Sequence, residues 1–89
     1  MSEERFYFYD DIEDTQTRFI GFMGESTRFD LAVMKTDHYY GKQLVLNIQN
    51  GKFAIIGEDD LNEPGYLEHA YGISESEAEE LRSFLFEVI

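Results

Sequence analysis

Two histidines in this chain each follow an acid, as Asp37-His38 and Glu68-His69. Imidazole and carboxylate together suit zinc or nickel, so Asp37, His38, Glu68 and His69 form the candidate metal set. A His-x-x-x-His spacing, which would place two imidazoles on one helix face, is absent. A shared site would therefore depend on folding to bring distant segments together. The plainer expectation is two exposed histidines, one at a strand start and one on a short helix.

Paired acids are the second chemical element. Asp10-Asp11 and Asp59-Asp60 could act as general acid and base if one member were buried with a shifted pKa. No nucleophile or electrophile stands beside either pair, so solvated loop acids are the expectation. Asp60, Asn62 and Gly65 fall at the first, third and sixth positions of an EF-hand loop. Pro64 and Tyr71 then occupy the fifth and twelfth, and the required bidentate acid is missing. Gly41-Lys42-Gln43 lacks the remaining residues of a phosphate loop, and no Gly-x-Ser-x-Gly occurs. With no cysteine, thiolate nucleophiles, thiolate metal sites and disulfides are all excluded. No cofactor is expected, and an enzyme is the less favoured class.

Binding chemistry remains. Tyr39-Tyr40 precedes Gly41 between two predicted strands, and tyrosine buries a large area at low entropic cost. The competing reading is that one ring finishes the core and the other covers a strand end. With the acids Glu58, Asp59, Asp60 and Glu63, these tyrosines are the candidate partner-binding residues.

Charge shapes the choice of partner. The formal charge is −12 over 89 residues. Residues 1–14 hold six acids and one base, residues 15–56 three acids and five bases, and residues 57–89 ten acids and only Arg82. A near-neutral middle is thus flanked by two acidic ends. Direct nucleic-acid binding and docking on anionic membranes are disfavoured, because both need Lys and Arg. A protein partner with a basic surface fits the acidic ends, while a charged face that merely keeps the domain dispersed is the plainer reading. Eight Phe and six Tyr argue for a folded chain despite its acidity. No run approaches the ~20 apolar residues of a membrane span. The acidic start Met1-Ser2-Glu3-Glu4 is unlike a signal peptide, and a small cysteine-free domain suits the cytosol.

The elements that must position these residues read as sheet first and helix last. Phe6-Tyr7-Phe8-Tyr9 has the alternation of a first strand. An unpaired edge such as this strand could pair across a two-fold axis, which makes a homodimer the other expected association. Thr17 to Met23 and Arg28 to Lys35 form a hairpin around Gly24–Thr27, with Phe22 opposite Phe29 and Ile20 opposite Leu31. Asn50-Gly51 predicts a two-residue type I′ turn with Ile48 opposite Phe53 and Leu46 opposite Ile55. Leu44, Leu46, Ile48, Phe53 and Ile55 then share one side. The other side (Gln43, Val45, Asn47, Gln49, Lys52, Ala54, Ile56) is mixed rather than fully polar, which suits partial cover. Gly57 to Glu63 reads as an acidic loop, and Pro64 opens a short helix that Gly72 stops. Ser74-x-x-Glu77 is a capping box. The stripe Ala78, Leu81, Phe84, Leu85 and Val88 predicts the final helix. Phe86 and Ile89 fall off that stripe, either as an oligomer contact or in a groove. The expected fold is a single α+β domain over 1–89: an antiparallel sheet of about five strands, then one short and one longer helix on a sheet face.

Several segments also carry a family resemblance. Arg5-Phe6-Tyr7-Phe8-Tyr9-Asp10-Asp11, the stretch Thr15 to Phe22, Tyr40-Gly41-Lys42, Phe53-Ala54-Ile55-Ile56-Gly57 and Glu63-Pro64-Gly65-Tyr66-Leu67-Glu68-His69-Ala70 are its carriers. Over nearly the whole chain they resemble short acidic proteins of Bacillus-type Firmicutes, the domain of unknown function 3055. The resemblance implies a bacterial cytosolic protein and brings no catalytic motif. The residues thus favour a non-enzymatic protein-interaction or regulatory domain. A small-ligand or metal binder using the loops near Asp37-His38 and Glu58–His69 is the alternative.

Overall fold

The computed structural model describes residues 4–89. Four strands form one antiparallel meander in the order β1 (Gln16–Met23), β2 (Arg28–Lys35), β3 (Gln43–Asn47) and β4 (Lys52–Ile56). Three helices follow: α1 (Glu58–Leu61), α2 (Tyr66–Tyr71) and α3 (Glu75–Val88). The fold is α+β with four strands, one fewer than expected. The missing one is Phe6–Tyr9, which has no regular structure. Pairing of β1 with β2 begins at Gln16 opposite Lys35, and beyond Lys35 the chain turns into a short 3-10 segment, Asp37–Tyr39. Residues 6–9 thus have no strand beside them to complete a ladder.

The first hairpin has the expected register, with Phe22 opposite Phe29 and Ile20 opposite Leu31. Its loop is held by the last helix. Within the loop the Gly24 amide donates to the Thr27 carbonyl at 2.7 Å. The Glu25 amide donates to Glu80 Oε1 at 3.0 Å, and the Thr27 hydroxyl to Glu77 Oε2 at 2.7 Å. A Cβ at Gly24 would meet the Glu80 carboxylate and lie 3.0 Å from the Thr27 carbonyl oxygen, so a larger residue there would displace Glu80 from the Glu25 amide.

The second hairpin corrects the expected turn. Asn47 pairs with Lys52, Leu46 with Phe53 and Leu44 with Ile55, so Ile48–Gly51 make a four-residue connection. Gly51 has φ 74°, but Asn50 is not at positive φ, so the turn is not type I′. Asparagine side chains close it instead. Asn47 Oδ1 accepts from the Gln49 amide and Asn50 Oδ1 from the Lys52 amide, the local bonding that favours Asn in turns. The register moves by two residues, so the strand residues keep their faces, while Ile48 and Gln49 pass into the turn.

The face that forms the core is the mixed one. Val45 and Ile56 are fully buried beside Phe29, Leu31 and Val33, and the helices cover them with Leu61, Leu67, Tyr71, Ala78, Leu81 and Leu85. Phe22 joins this layer to α3, its ring 4.7 Å from that of Phe84.

The helices refine the reading of the C-terminal third. Glu58–Leu61, expected within a loop, is helical because acids suit a helix start, Asp60 Oδ2 accepts from the Gly57 amide at 2.8 Å, and Leu61 is buried. Pro64 precedes α2 rather than opening it, and Gly65, at φ 79°, is the residue before the helix. Gly72 (φ 63°) ends α2 as expected. Ser74 and Glu77 form the reciprocal cap of α3. Ile89 packs against the core, whereas Phe86 is exposed.

Candidate functional site

With the helices all on one side, the other side of the sheet is bare. Strand alternation and register place Thr17, Phe19, Gly21 and Met23 of β1 there, with Arg28, Asp30, Ala32 and Met34 of β2. Leu44 and Leu46 of β3 and Phe53 and Ile55 of β4 complete it. The apolar members lie outside the core cluster. Phe19 is 77% exposed and Phe53 59%. Between them run Ala32 and Leu46, opposite one another in the ladder. Scattered exposed apolar residues are ordinary, but a contiguous apolar sheet face is a docking feature.

This face is also electrically neutral. Its two charges are Arg28 and Asp30, which bond to each other through Nε–Oδ2 at 3.0 Å and Nη2–Oδ1 at 3.1 Å. The acids of residues 57–89 sit on the helical layer or its connections. Arg82, the one base there, donates to the Leu61 carbonyl and to Glu79.

The N-terminal segment also exposes aromatic side chains. Phe6 is 84% exposed and Phe8 91%, and their rings lie edge-to-face at 5.6 Å. Tyr7, Tyr9 and Ile12 are exposed as well. The base of the segment is held. Glu13 accepts from the Thr36 hydroxyl at 2.7 Å and pairs with His38 Nδ1, and the Tyr9 ring lies 6.0 Å from that of His38. The Thr36 hydroxyl first, then His38, holds the Glu13 carboxyl below the usual glutamate value.

The candidates from sequence are dispersed. His38 is engaged by Glu13, Asp37 is exposed on the 3-10 turn, and Glu68 and His69 lie on α2. Among the described residues, no group of three or more His, Asp or Glu is placed to hold a metal. Tyr40 is fully exposed with φ 55°, while Tyr39 is half-buried. Glu58, Asp59 and Glu63 are exposed around α1. Asp60 is not: its side chain is 14% exposed and accepts from the Gly57 amide and from Lys42 Nζ at 3.0 Å. Half of the bare face, Leu44, Leu46, Phe53 and Ile55, is a set that the second hairpin's alternation defines; the β1 and β2 half, with Phe19 and Ala32, joins it through the β2–β3 pairing.

Asp60 makes the acid response of the fold predictable. Burial works against its charged form, but the Gly57 amide and the Lys42 ammonium outweigh burial and hold its pKa below the usual value of 3.8. The Ser74 amide first, then the Thr27 hydroxyl, depresses Glu77 likewise from 4.5. A folded value below the unfolded one means that the unfolded chain binds protons first. The stabilisation is complete above the unfolded values and is lost as pH falls through the folded ones. Urea midpoints are therefore expected to hold steady above pH about 5 and to fall below about 4. Asp60→Asn is expected to lie below wild type near neutral pH and to lose less between pH about 4 and 2. Parallel curves would mean that Asp60 is not depressed.

Among the described residues, a four-stranded meander with three helices on one face and none on the other defines a small α+β domain with an open sheet. The chain belongs to the SAV0927-like family, an uncharacterised family whose model matches residues 8–87. No curated protein matches it. Among the described residues, no helix is long and apolar enough to cross a membrane.

Proposed function

We propose that the protein is a non-enzymatic protein-interaction domain whose docking surface is the bare face of the sheet. One observation carries this reading: an apolar face centred on Phe19, Ala32, Leu46 and Phe53, without net charge, opposite the layer that covers the core. Burying such a face is favourable in proportion to its apolar area, and it lacks the desolvation cost of unpaired charges. The resemblance to a bacterial family and the absence of cysteine support a bacterial cytosolic setting.

A second reading has its own observation. Arg82 is engaged internally, so the helical layer presents acid without a free base from residues 57–89. A protein with a basic surface would dock there by charge.

Crosslinking and mass spectrometry in source cells separates the two. Phe53→Glu is expected to remove the crosslinks to the partner, and Asp59→Lys with Glu63→Lys to leave them. The reverse outcome would assign docking to the acidic layer.

A further inference from the structure

We infer that the occupant of the bare face is a second copy of this chain, with the Phe6–Tyr9 segment of each protomer lying on the sheet of the other. The inference rests on the reading that this face docks protein.

Charge selects the face. Two chains of −12 repel each other wherever their acids meet. The bare face has no net charge, because Arg28 and Asp30 neutralise one another. Two copies joined there keep their acidic helical layers on the outside, and the acids that flank Phe6–Tyr9, among them Glu4, Asp10 and Asp11, meet a face without net charge.

Area brings in the segment. An aromatic side chain buries on the order of 150–250 Å², and a stable interface takes about 800 Å² from each partner. Phe19 and Phe53 supply roughly 200–350 Å² on that scale, and Met34, Leu44, Leu46 and Ile55, which are mostly buried, add less. Phe6, Tyr7, Phe8 and Tyr9 supply roughly 500 Å² more. The sheet face alone falls short of a stable dimer, and the two together approach it.

Geometry makes the exchange mutual. Glu13, held by Thr36 and His38, fixes the base of the segment at one end of the sheet. From there the chain runs outward. An eight-residue strand spans about 27 Å, whereas the molecule is 54 Å long, and its radius of gyration of 15.4 Å exceeds the ~12 Å of a compact chain of this length. In a two-fold dimer each segment meets the partner's face by the same contact, so the assembly closes at two.

Sedimentation equilibrium of the full chain tests this. The wild type is expected to dimerise at micromolar concentration and to bind more tightly as salt rises, because screening weakens repulsion between the acidic layers. Phe53→Glu, and separately Phe6→Ser with Phe8→Ser, are each expected to weaken the dimer at least tenfold. All these positions are exposed, and circular dichroism checks that each variant stays folded. Mixing the two variants supplies the decisive result. One then offers an intact segment and the other an intact face, so the mixture should associate more tightly than either alone. A wild type that stays monomeric at about 100 µM, well above the micromolar range of weak interfaces, overturns the inference. So does a dimer indifferent to Phe6 and Phe8, or a mixture with no gain. If the wild type is monomeric while cellular crosslinks still depend on Phe53, the docking reading stands and only the second copy is lost.

Discussion

Ile56→Ala is expected to destabilise the protein by about 3 kcal/mol, within the 2–5 kcal/mol of buried isoleucine truncations, and Ile55→Ala by only about 1. The two are neighbours on β4 with the same side chain, pointing to opposite faces. Ile56 has no exposed surface and lies in the core cluster, whereas Ile55 lies half-buried on the bare face. Truncating Ile56 removes its transfer free energy and leaves a cavity walled by helices that can only partly collapse. Truncating Ile55 leaves a surface dimple that water can fill. For a domain of this size, 1 kcal/mol shifts the melting temperature by about 4–8 °C. The pair should therefore differ by roughly 10 °C or more in a melt at low micromolar concentration. Equal or reversed costs would move the core to the other face.

That comparison also marks the limit of what the residues reveal unaided. Alternation along the second hairpin sorts the side chains into the right two sets. It does not say which set the helices cover. The more apolar set, Leu44, Leu46, Ile48, Phe53 and Ile55, has the composition of a core face, yet the covered set is Val45, Ala54 and Ile56 with Asn47, and Ile48 is exposed in the turn. The reason is non-local. Leu61, Leu67 and Tyr71 of α1 and α2, with Ala78, Leu81 and Leu85 of α3, pack on the face that carries Phe29, Leu31, Val45 and Ile56. Which face distant helices cover leaves no periodic trace in the strands.

Local signals fared better where the physics is local. The cap of α3 and its stripe involve neighbours within a few turns, and both stand where the spacing puts them. The register of the first hairpin is also legible, although Glu-Ser at its tip has no turn chemistry of its own. Its loop is completed by Glu77 and Glu80, about fifty residues away. Phe6–Tyr9 shows the opposite failure. Its alternation is strand-like, but a strand needs a neighbour, and the 3-10 turn after Lys35 removes it. The candidate site inherits both effects. Its β3 and β4 residues form a set in the alternation, with nothing local to mark it as uncovered, and its aromatic segment has the alternation of an edge strand.

Tyr71→Phe is expected to cost about 1–3 kcal/mol, the usual range when a buried polar partner is left unmatched. The substitution removes one oxygen and otherwise keeps the ring. That hydroxyl donates to the Val45 carbonyl at 2.7 Å, inside the core, on the strand between β2 and β4. The same residue's carbonyl accepts from Asn50 Nδ2 at 3.0 Å, so Tyr71 links the end of α2 both to β3 and to the turn that follows it. Phenylalanine keeps the second link and breaks the first. Burial, first of all, pushes the Tyr71 phenol well above its usual 10. Below pH about 10 both folded and unfolded chains hold its proton. Above that, the unfolded chain releases the proton while the folded one retains it, so stability falls as pH rises through the unfolded value and beyond. Tyr71→Phe removes this contribution. Wild type should therefore lose its advantage over the variant progressively above pH about 10, measured by urea denaturation at stepped alkaline pH. A gap that stays constant across that range would place the phenol in contact with water, and the link to Val45 would fall with it.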